Sequence, residues 1–345
     1  MEKIETKGIV LKAYGKAENA FEEKIIHINK PKSHEVLIDV EAFGLNYADV
    51  MARNNLYKEA PPLPTVLGYE VVGIIQEIGE DVAPELLGKR VVAFTRFGGY
   101  SKKAVTQESA ISLIDSMPAA EALALSTQFV TAYYMAVYLS PVHEGDKVLI
   151  HAAAGGVGTA LIQLCKWKKA FVYAKIGNDS KENLVKELGA DVVINYNKVD
   201  YKTAVLSHLK NERLDVSFNP VAGSTFKKDW SLIGSGGKVI LFGGSERSGK
   251  KWGILSSLNF VRKMGLIIPI GLMMRSKNVL GVNMLKVADN KPEVLTQCLK
   301  AVVELTKQGI LKPQVGAKFN VKEIAAAHAL LESGKSTGKI AVFWE

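Results

Sequence analysis

Cysteine is scarce, with only Cys165 and Cys298 among 345 residues. Two thiols so far apart exclude a disulfide framework and a multi-cysteine zinc lobe. Cys298, in LTQCLKAVVEL, falls at helix-core spacing, and both cysteines read as buried, reduced residues of a cytoplasmic protein. Histidine is also sparse: six scattered residues build no plausible metal site with the two cysteines. The most apolar run, Leu266 to Met274, is interrupted by Pro269 and Gly271 and is short of the ~20 residues a spanning helix needs. MEKIETKGIVLKAYG lacks the apolar core and cleavage site of a secretion signal. Zinc knuckles, RNA-recognition aromatics and dense basic blocks are missing too. The net charge of +9, from 44 basic residues interspersed with 35 acidic ones, therefore reads as a solvated surface with no nucleic-acid partner.

What is present is core material, 48% hydrophobic residues, enough for two domains. From residue 8 to about 122, short apolar runs such as EVLIDVEAFGL, VVGIIQEIG and KRVVAF alternate with turns, as in an all-β unit. From about 123 the period changes. ALALSTQFVTAYYMAVYL reads as helix, and KVLIHA, AFVYAKI, DVVINY, LDVSFNPV, GKVILFGG and NVLGVNM read as six strands separated by helices. That order predicts an α/β fold with a doubly wound, parallel six-stranded sheet. After Lys291 come a helix, the strand VGAKFN, an alanine-rich helix and a last strand, KIAVFWE.

The densest chemical signal is GDKVLIHAAAGGVGTALIQLCK, residues 145–166, which reads as strand, glycine turn and helix. Ala153-x-Gly155-x-x-Gly158 is a variant dinucleotide fingerprint. Ala154, Gly155, Gly156, Val157 and Gly158 form the segment that would cradle a pyrophosphate against the first turn of the helix. A small-residue turn that merely packs a helix on a sheet is the alternative. His151, just before the turn, reads as a strand-end residue rather than a base.

At the end of the second strand a carboxylate would bind the ribose 2′-hydroxyl and repel a 2′-phosphate. No carboxylate stands there. The strand ends Ala174-Lys175-Ile176-Gly177-Asn178, and Asp179 or Ser180 reads as the N-cap of the next helix. Lys175 and Lys181 can neutralise a 2′-phosphate, with Asn178 adding hydrogen bonds, which favours NADPH over NADH. Either lysine taken singly could equally be a solvated side chain. Phe242 and Gly243 close the fifth strand, where strand ends face the cofactor in this topology.

The turn, together with GLNYADVMARNNLY, PPLP, GYEVVG, TAYY and INY, resembles the zinc-independent quinone oxidoreductase and zeta-crystallin branch of the medium-chain dehydrogenase/reductase family, and within it the VAT-1-like group. The resemblance implies a GroES-like catalytic domain over 1–124, completed by 291–345, and a Rossmann NADPH-binding domain over 125–290. It implies that Gly177, Lys181 and Tyr196 meet the phosphate and adenine end of NADPH and that Thr131 lies near the nicotinamide. It also implies a homodimer joined through the last Rossmann strand, Val279 to Met284. The chain departs from the group at Asn55, where glycine is usual, and at Lys175, where a small residue is usual.

Zinc alcohol dehydrogenases carry cysteine where Asn46 stands and histidine where Tyr69 stands, because the metal needs soft sulfur and imidazole ligands. Without that Lewis acid, conjugate reduction is the less demanding chemistry: hydride added to an enone or quinone leaves a charge delocalised over an enolate or phenolate. Asn46 and Tyr57 are the candidates for polarising the substrate oxygen. A loop-fixing role for Asn46 and an aromatic lid role for Tyr57 are equally open. Glu70 and Asp49 read as supports of loop and strand geometry, and Gly338 and Lys339 could reach back toward the site. The small-molecule partner expected is a quinone or enone. VAT-1-type proteins are also associated with membranes and lipids, and WGILSSLNFVRKMGLIIPIGLMM, between the fifth and sixth strands, reads as a pocket wall, a dimer contact or a lipid-facing lid.

Overall fold

A computed structural model of the chain describes residues 3–247 and 253–344. The chain forms two compact units, one of residues 1–131 with 285–345 and one of 132–284.

The first unit is built on antiparallel pairing. Strands β1 (Lys3–Leu11), β2 (Phe21–Asn29), β3 (Glu35–Leu45), β4 (Thr65–Val66), β5 (Glu70–Ile78), β6 (Arg90–Phe94), β7 (Lys103–Gln107) and β8 (Ile111–Leu113) come from its N-terminal part. A three-stranded sheet orders them β2-β1-β4, and β3, β5, β6 and β8 follow one another in a larger sheet that also takes β7 against β3. Val36, Ile38, Val40, Phe43 and Leu45 of β3 join Val71, Ile75, Val91 and Ala93 in one buried cluster. Leu37, Ala42, Val72 and Val92 on the opposite faces are buried as well, so these strands are covered on both sides over much of their length.

The second unit carries β9 (Lys147–Ile150), β10 (Phe171–Ile176), β11 (Val192–Asn195), β12 (Leu214–Asn219), β13 (Ile233–Leu241) and β14 (Asn278–Gly281). All are parallel, in the order β11-β10-β9-β12-β13-β14. Counted along the unit this is 3-2-1-4-5-6, the doubly wound order read from the sequence. Both faces are covered by helices, so β9 and β10 are largely apolar rather than alternating, while β12, LDVSFN, alternates and buries Ser217 and Asn219 as polar residues. The sixth strand is shorter than expected. It ends at Gly281, and Met284 begins a helix, Met284–Asn290.

The chain then returns to the first unit. Helix Pro292–Lys307 buries Cys298 with Leu295, Leu299 and Val302. Strands β15 (Val315–Asn320) and β16 (Lys339–Phe343) pair in parallel, and β16 adds to β3 antiparallel.

One helix, Ala119–Leu139, has the length and hydropathy to cross a membrane, and most of that window is buried. It contains two π-helical turns, Leu125–Phe129 and Tyr134–Leu139. Such wide turns free backbone groups that a regular α-helix would use internally. Here the N–H of Thr127 donates to the Glu70 carboxylate at 3.0 Å.

Candidate functional site

In the second unit the chain leaves β9 at Ile150 and enters helix Gly156–Trp167 through the predicted turn. The left-handed residue of that turn is Ala152, at φ 50°, and not one of the glycines. What the glycines supply is space. A Cβ on Gly158 would lie 2.4 Å from the carbonyl oxygen of Ala152 and 2.6 Å from that of Ala153, so helix and turn meet backbone to backbone. The N–H groups of Gly156, Val157 and Gly158 occupy the first helical turn, where no carbonyl of the helix can accept them. With Ala154 and Gly155 preceding them, they suit an anion such as a pyrophosphate. The Ala153 N–H donates to the carbonyl of Lys175 at 3.1 Å, which ties the turn to the end of β10.

Around that strand end the structure gathers Lys175, Gly177 and Tyr196. A Cβ on Gly177 would stand 2.6 Å from the Tyr196 hydroxyl, so only glycine lets the ring lie there. Tyr196 is 49% exposed. Asn178, rather than Asp179 or Ser180, is the N-cap: its Oδ1 accepts the Ser180 N–H at 3.0 Å. Its backbone is extended, as at an N-cap, while Asp179 is drawn to Asn195 and Lys198. Lys181 is half-buried, and burial lowers its pKa.

Lys175 is only 6% exposed. Its Nζ sits 3.2 Å from Nδ1 of His151 and over the rings of Tyr196 and Tyr201, at 4.7 and 4.3 Å from their centroids. Burial brings its pKa down to about 8, against the attraction of Asp229. His151 is fully buried, and its Nε2 meets the Asp229 carboxylate at 3.0–3.1 Å. Burial also lowers the imidazole pKa. An ammonium can only donate, so Nδ1 is the acceptor and the neutral ring carries its proton on Nε2, toward Asp229. Asn219, at the end of β12, donates to the same carboxylate at 2.6 Å and accepts the Val221 and Ala222 N–H groups at 2.8 Å. An aspartate at 219 would set two carboxylates together, so the amide fits this network. Phe242 follows β13, and its N–H donates to the Asn219 carbonyl at 3.3 Å; Gly243 packs on Pro220.

In the first unit Asn46 follows β3, is buried, and is the N-cap of helix Tyr47–Arg53. Its amide donates to Oε1 of Glu70 at 2.8 Å, and its Oδ1 lies 3.3 Å from Nζ of Lys339. Lys339 and Glu70 form an ion pair, both side chains fully buried. Ser126 and Thr127 donate to the other oxygen of Glu70. Asp49 accepts the Asn46 N–H at 2.8 Å, and burial pushes its pKa up to about 7. Tyr57 packs edge-on to Tyr69 with centroids 6.4 Å apart. Burial pushes the Tyr57 phenol up to about 12 and the Tyr69 phenol well above the ordinary tyrosine range. Asn55, where a glycine was expected, has φ 56°. That conformation explains the preference for glycine, and asparagine is the side chain that tolerates it next best. The hydroxyl of Thr131 donates to the Thr127 carbonyl at 2.5 Å.

The sequence reading overlooked Asp229 and Tyr201, which complete the network behind Lys175. Nothing local in KKDWSL marks Asp229; it matters through partners on three other segments, His151 after β9, Tyr201 on helix Tyr201–Leu209, and Ser217 and Asn219 on β12. Of the segment 252–275, Trp252 lies outside the described residues. The rest comprises helices Gly253–Met264 and Pro269–Arg275 and the connection between them, residues 265–268. Leu258, Val261, Leu266, Ile268, Ile270, Met273 and Met274 are exposed there, Leu266 at 88% and Met274 at 80%.

Two family models match the chain: an alcohol dehydrogenase GroES-like domain over 32–117 and a zinc-binding dehydrogenase over 188–342. The synaptic vesicle membrane protein VAT-1 homolog of Danio rerio is 28% identical over 340 residues, 97% of this chain and 69% of that protein. The quinone oxidoreductase of Homo sapiens is 27% identical over 313 residues, 90% of this chain and 89% of that protein. An Escherichia coli quinone oxidoreductase solved with NADPH shares the fold, with a TM-score of 0.85, 24% identity, and 98% and 99% of the two chains covered. Among the described residues no group of three or more His, Cys, Asp or Glu side chains is placed to hold a metal ion.

Proposed function

Because the chain belongs to the medium-chain dehydrogenase/reductase family, we propose that it is a zinc-independent reductase that uses NADPH to reduce quinones or α,β-unsaturated carbonyls. The observation that carries the reading is the state of Asn46 and Tyr69. The Asn46 amide is committed to Glu70 and its oxygen faces the Lys339 ammonium, while burial keeps the Tyr69 phenol protonated. Neither can act as the anionic or imidazole donor that a catalytic zinc needs.

NADPH, when bound, supplies the hydride. The first turn of helix Gly156–Trp167, with Ala154 and Gly155, holds the pyrophosphate. Lys175, Asn178 and Lys181 read the 2′-phosphate, and Gly177 and Tyr196 border the adenine end. Thr131, Phe242 and Gly243 belong to the nicotinamide side. Asn46 keeps a second amide hydrogen beyond the one given to Glu70, and Tyr57 is a protonated phenol at neutral pH, its pKa raised further by burial to about 12. Both are donors suited to an oxygen that gains charge as an enolate or phenolate forms. The chain works in this reading as a cytoplasmic homodimer joined along β14, whose outer edge ends the six-stranded sheet.

The test is NADPH oxidation over a panel of quinones, enones and alkenals, with NADH in parallel. Turnover of at least one class with NADPH preferred supports the reading; equal or better use of NADH rejects the cofactor assignment. A second reading, a VAT-1-like lipid-associated protein with little turnover, is favoured by the exposed apolar residues Leu266, Met273 and Met274. Cosedimentation with anionic liposomes at low salt separates the two, since absence of pelleting removes the lipid reading.

A further inference from the structure

Asp229 is fully buried and accepts hydrogen bonds from four side chains: His151, Tyr201 at 2.8 Å, Ser217 at 2.8 Å and Asn219 at 2.6 Å. Burial alone would raise its pKa, yet His151 and the hydroxyl donors outweigh it, and the net direction is down. It is therefore a carboxylate at neutral pH. Its counter-charge is not a direct partner. Between Asp229 and the Lys175 ammonium stands the neutral ring of His151, which accepts on one nitrogen and donates on the other.

Dinucleotide domains usually place a carboxylate at the end of the second strand to bind a ribose hydroxyl. Here a lysine stands there, and it is almost wholly buried. A buried ammonium is costly unless it is paired and hydrogen-bonded. The rings of Tyr196 and Tyr201 offer only their faces, and His151 offers one lone pair. Of the charged groups that bear on Lys175, Asp229 and Asp200 favour its proton and Lys228 opposes it. Lys228 is itself ion-paired with Asp200, which leaves Asp229 as the carboxylate free to balance Lys175.

We infer that Asp229, acting through His151, holds the Lys175 ammonium at the end of β10 as the charge that selects a 2′-phosphorylated dinucleotide, so that His151 and Asp229 are positioning residues for cofactor choice. The inference rests on the NADPH reading above. Without Asp229 the buried lysine loses the charge that keeps it protonated, and a neutral amine cannot discriminate a phosphate from a hydroxyl.

The test is calorimetric binding of NADP⁺ and NAD⁺ to the full chain, as wild type, Asp229→Asn, Lys175→Met and Lys181→Met, at pH 7 and pH 9. The 2′-phosphate, with a second pKa of about 6, is mostly the dianion at pH 7 and wholly so at pH 9, a change that would strengthen and not weaken its hold on a cation. In the wild type, NADP⁺ affinity should fall between the two as Lys175 loses its proton, while NAD⁺ affinity stays level. Asp229→Asn and Lys175→Met should each raise the NADP⁺ Kd roughly ten-fold at pH 7, leave the NAD⁺ Kd within about two-fold, and abolish the pH dependence. Equal losses for both nucleotides in Asp229→Asn would mark a purely structural network and overturn the inference. Should that variant fail to fold, Lys175→Met decides: an unchanged preference and pH profile overturns it as well. If Lys181→Met alone removes the NADP⁺ preference, the relay fails and the cofactor reading stands. Wild type binding NAD⁺ as tightly as NADP⁺ overturns both.

Discussion

Lys339 and Glu70 form a fully buried ion pair that joins the last strand of the chain to β5. Glu70 also accepts from Asn46, Ser126 and Thr127, so the pair is the hub that fixes the end of β3 and the π-helical turn at 125–129. Removing one partner leaves the other charge buried. Lys339→Met should therefore destabilise the chain by about 3–5 kcal/mol, and the double variant Lys339→Met/Glu70→Gln should recover much of that loss. Urea unfolding of the three proteins measures both values; equal stability of single and double variants would contradict the coupling.

Asp49 has the opposite electrostatic problem, a buried carboxyl whose pKa is raised to about 7 from an ordinary 3.8. Between those values the folded chain binds a proton that the unfolded chain has released. The contribution is complete below the unfolded value and is lost as pH rises through 7. Stability should accordingly decline from pH 4 toward pH 7 by an amount that Asp49→Asn removes. Melting curves across that range, compared between wild type and variant, show whether the slopes differ.

Asn55 occupies left-handed backbone space at φ 56°. Asn55→Gly should be neutral within about 0.5 kcal/mol or mildly stabilising, whereas Asn55→Val should cost roughly 1–2 kcal/mol. Thermal denaturation ranks the three, and a valine variant as stable as wild type would speak against this backbone conformation.

Gly158 and Gly155 differ in what a methyl group would meet. The Cβ of Gly158→Ala falls 2.4 Å from the Ala152 carbonyl, that of Gly155→Ala 3.2 Å from the same atom. The first must displace the turn, at a cost of about 1–3 kcal/mol, and the second needs only a small adjustment. NADP⁺ affinity should drop roughly ten-fold or more in Gly158→Ala and much less in Gly155→Ala, measured by calorimetry. The reverse order would disprove the backbone-contact role of Gly158.

Strand order in the second unit was legible because each strand is a short apolar run and each helix has its own period. The sequence also showed the turn at 155–158, while the left-handed backbone of Ala152 within it carries no sequence signal. The cap at Asn178 was displaced by one residue because Asp179 has stronger partners elsewhere, Asn195 and Lys198. Lys175 was read as facing a phosphate from its position alone. Its burial and its link to His151 depend on a helix that begins at Ser224.

By itself the sequence determined what is local: the two kinds of sheet, the helix that follows the glycine turn, and the absence of cysteine and histidine at the positions of Asn46 and Tyr69. Those follow from periodicity and side-chain type, which need no knowledge of distant residues. Tertiary structure alone decided which charges stand opposite one another. Glu70 meets Lys339 because β5 and β16, far apart in the chain, begin on either side of the end of β3, and Lys175 meets Asp229 through His151 because a helix packs on the sheet that carries the strand ends. Burial then sets the protonation of each group, since a charge removed from water persists only where a partner has been folded against it.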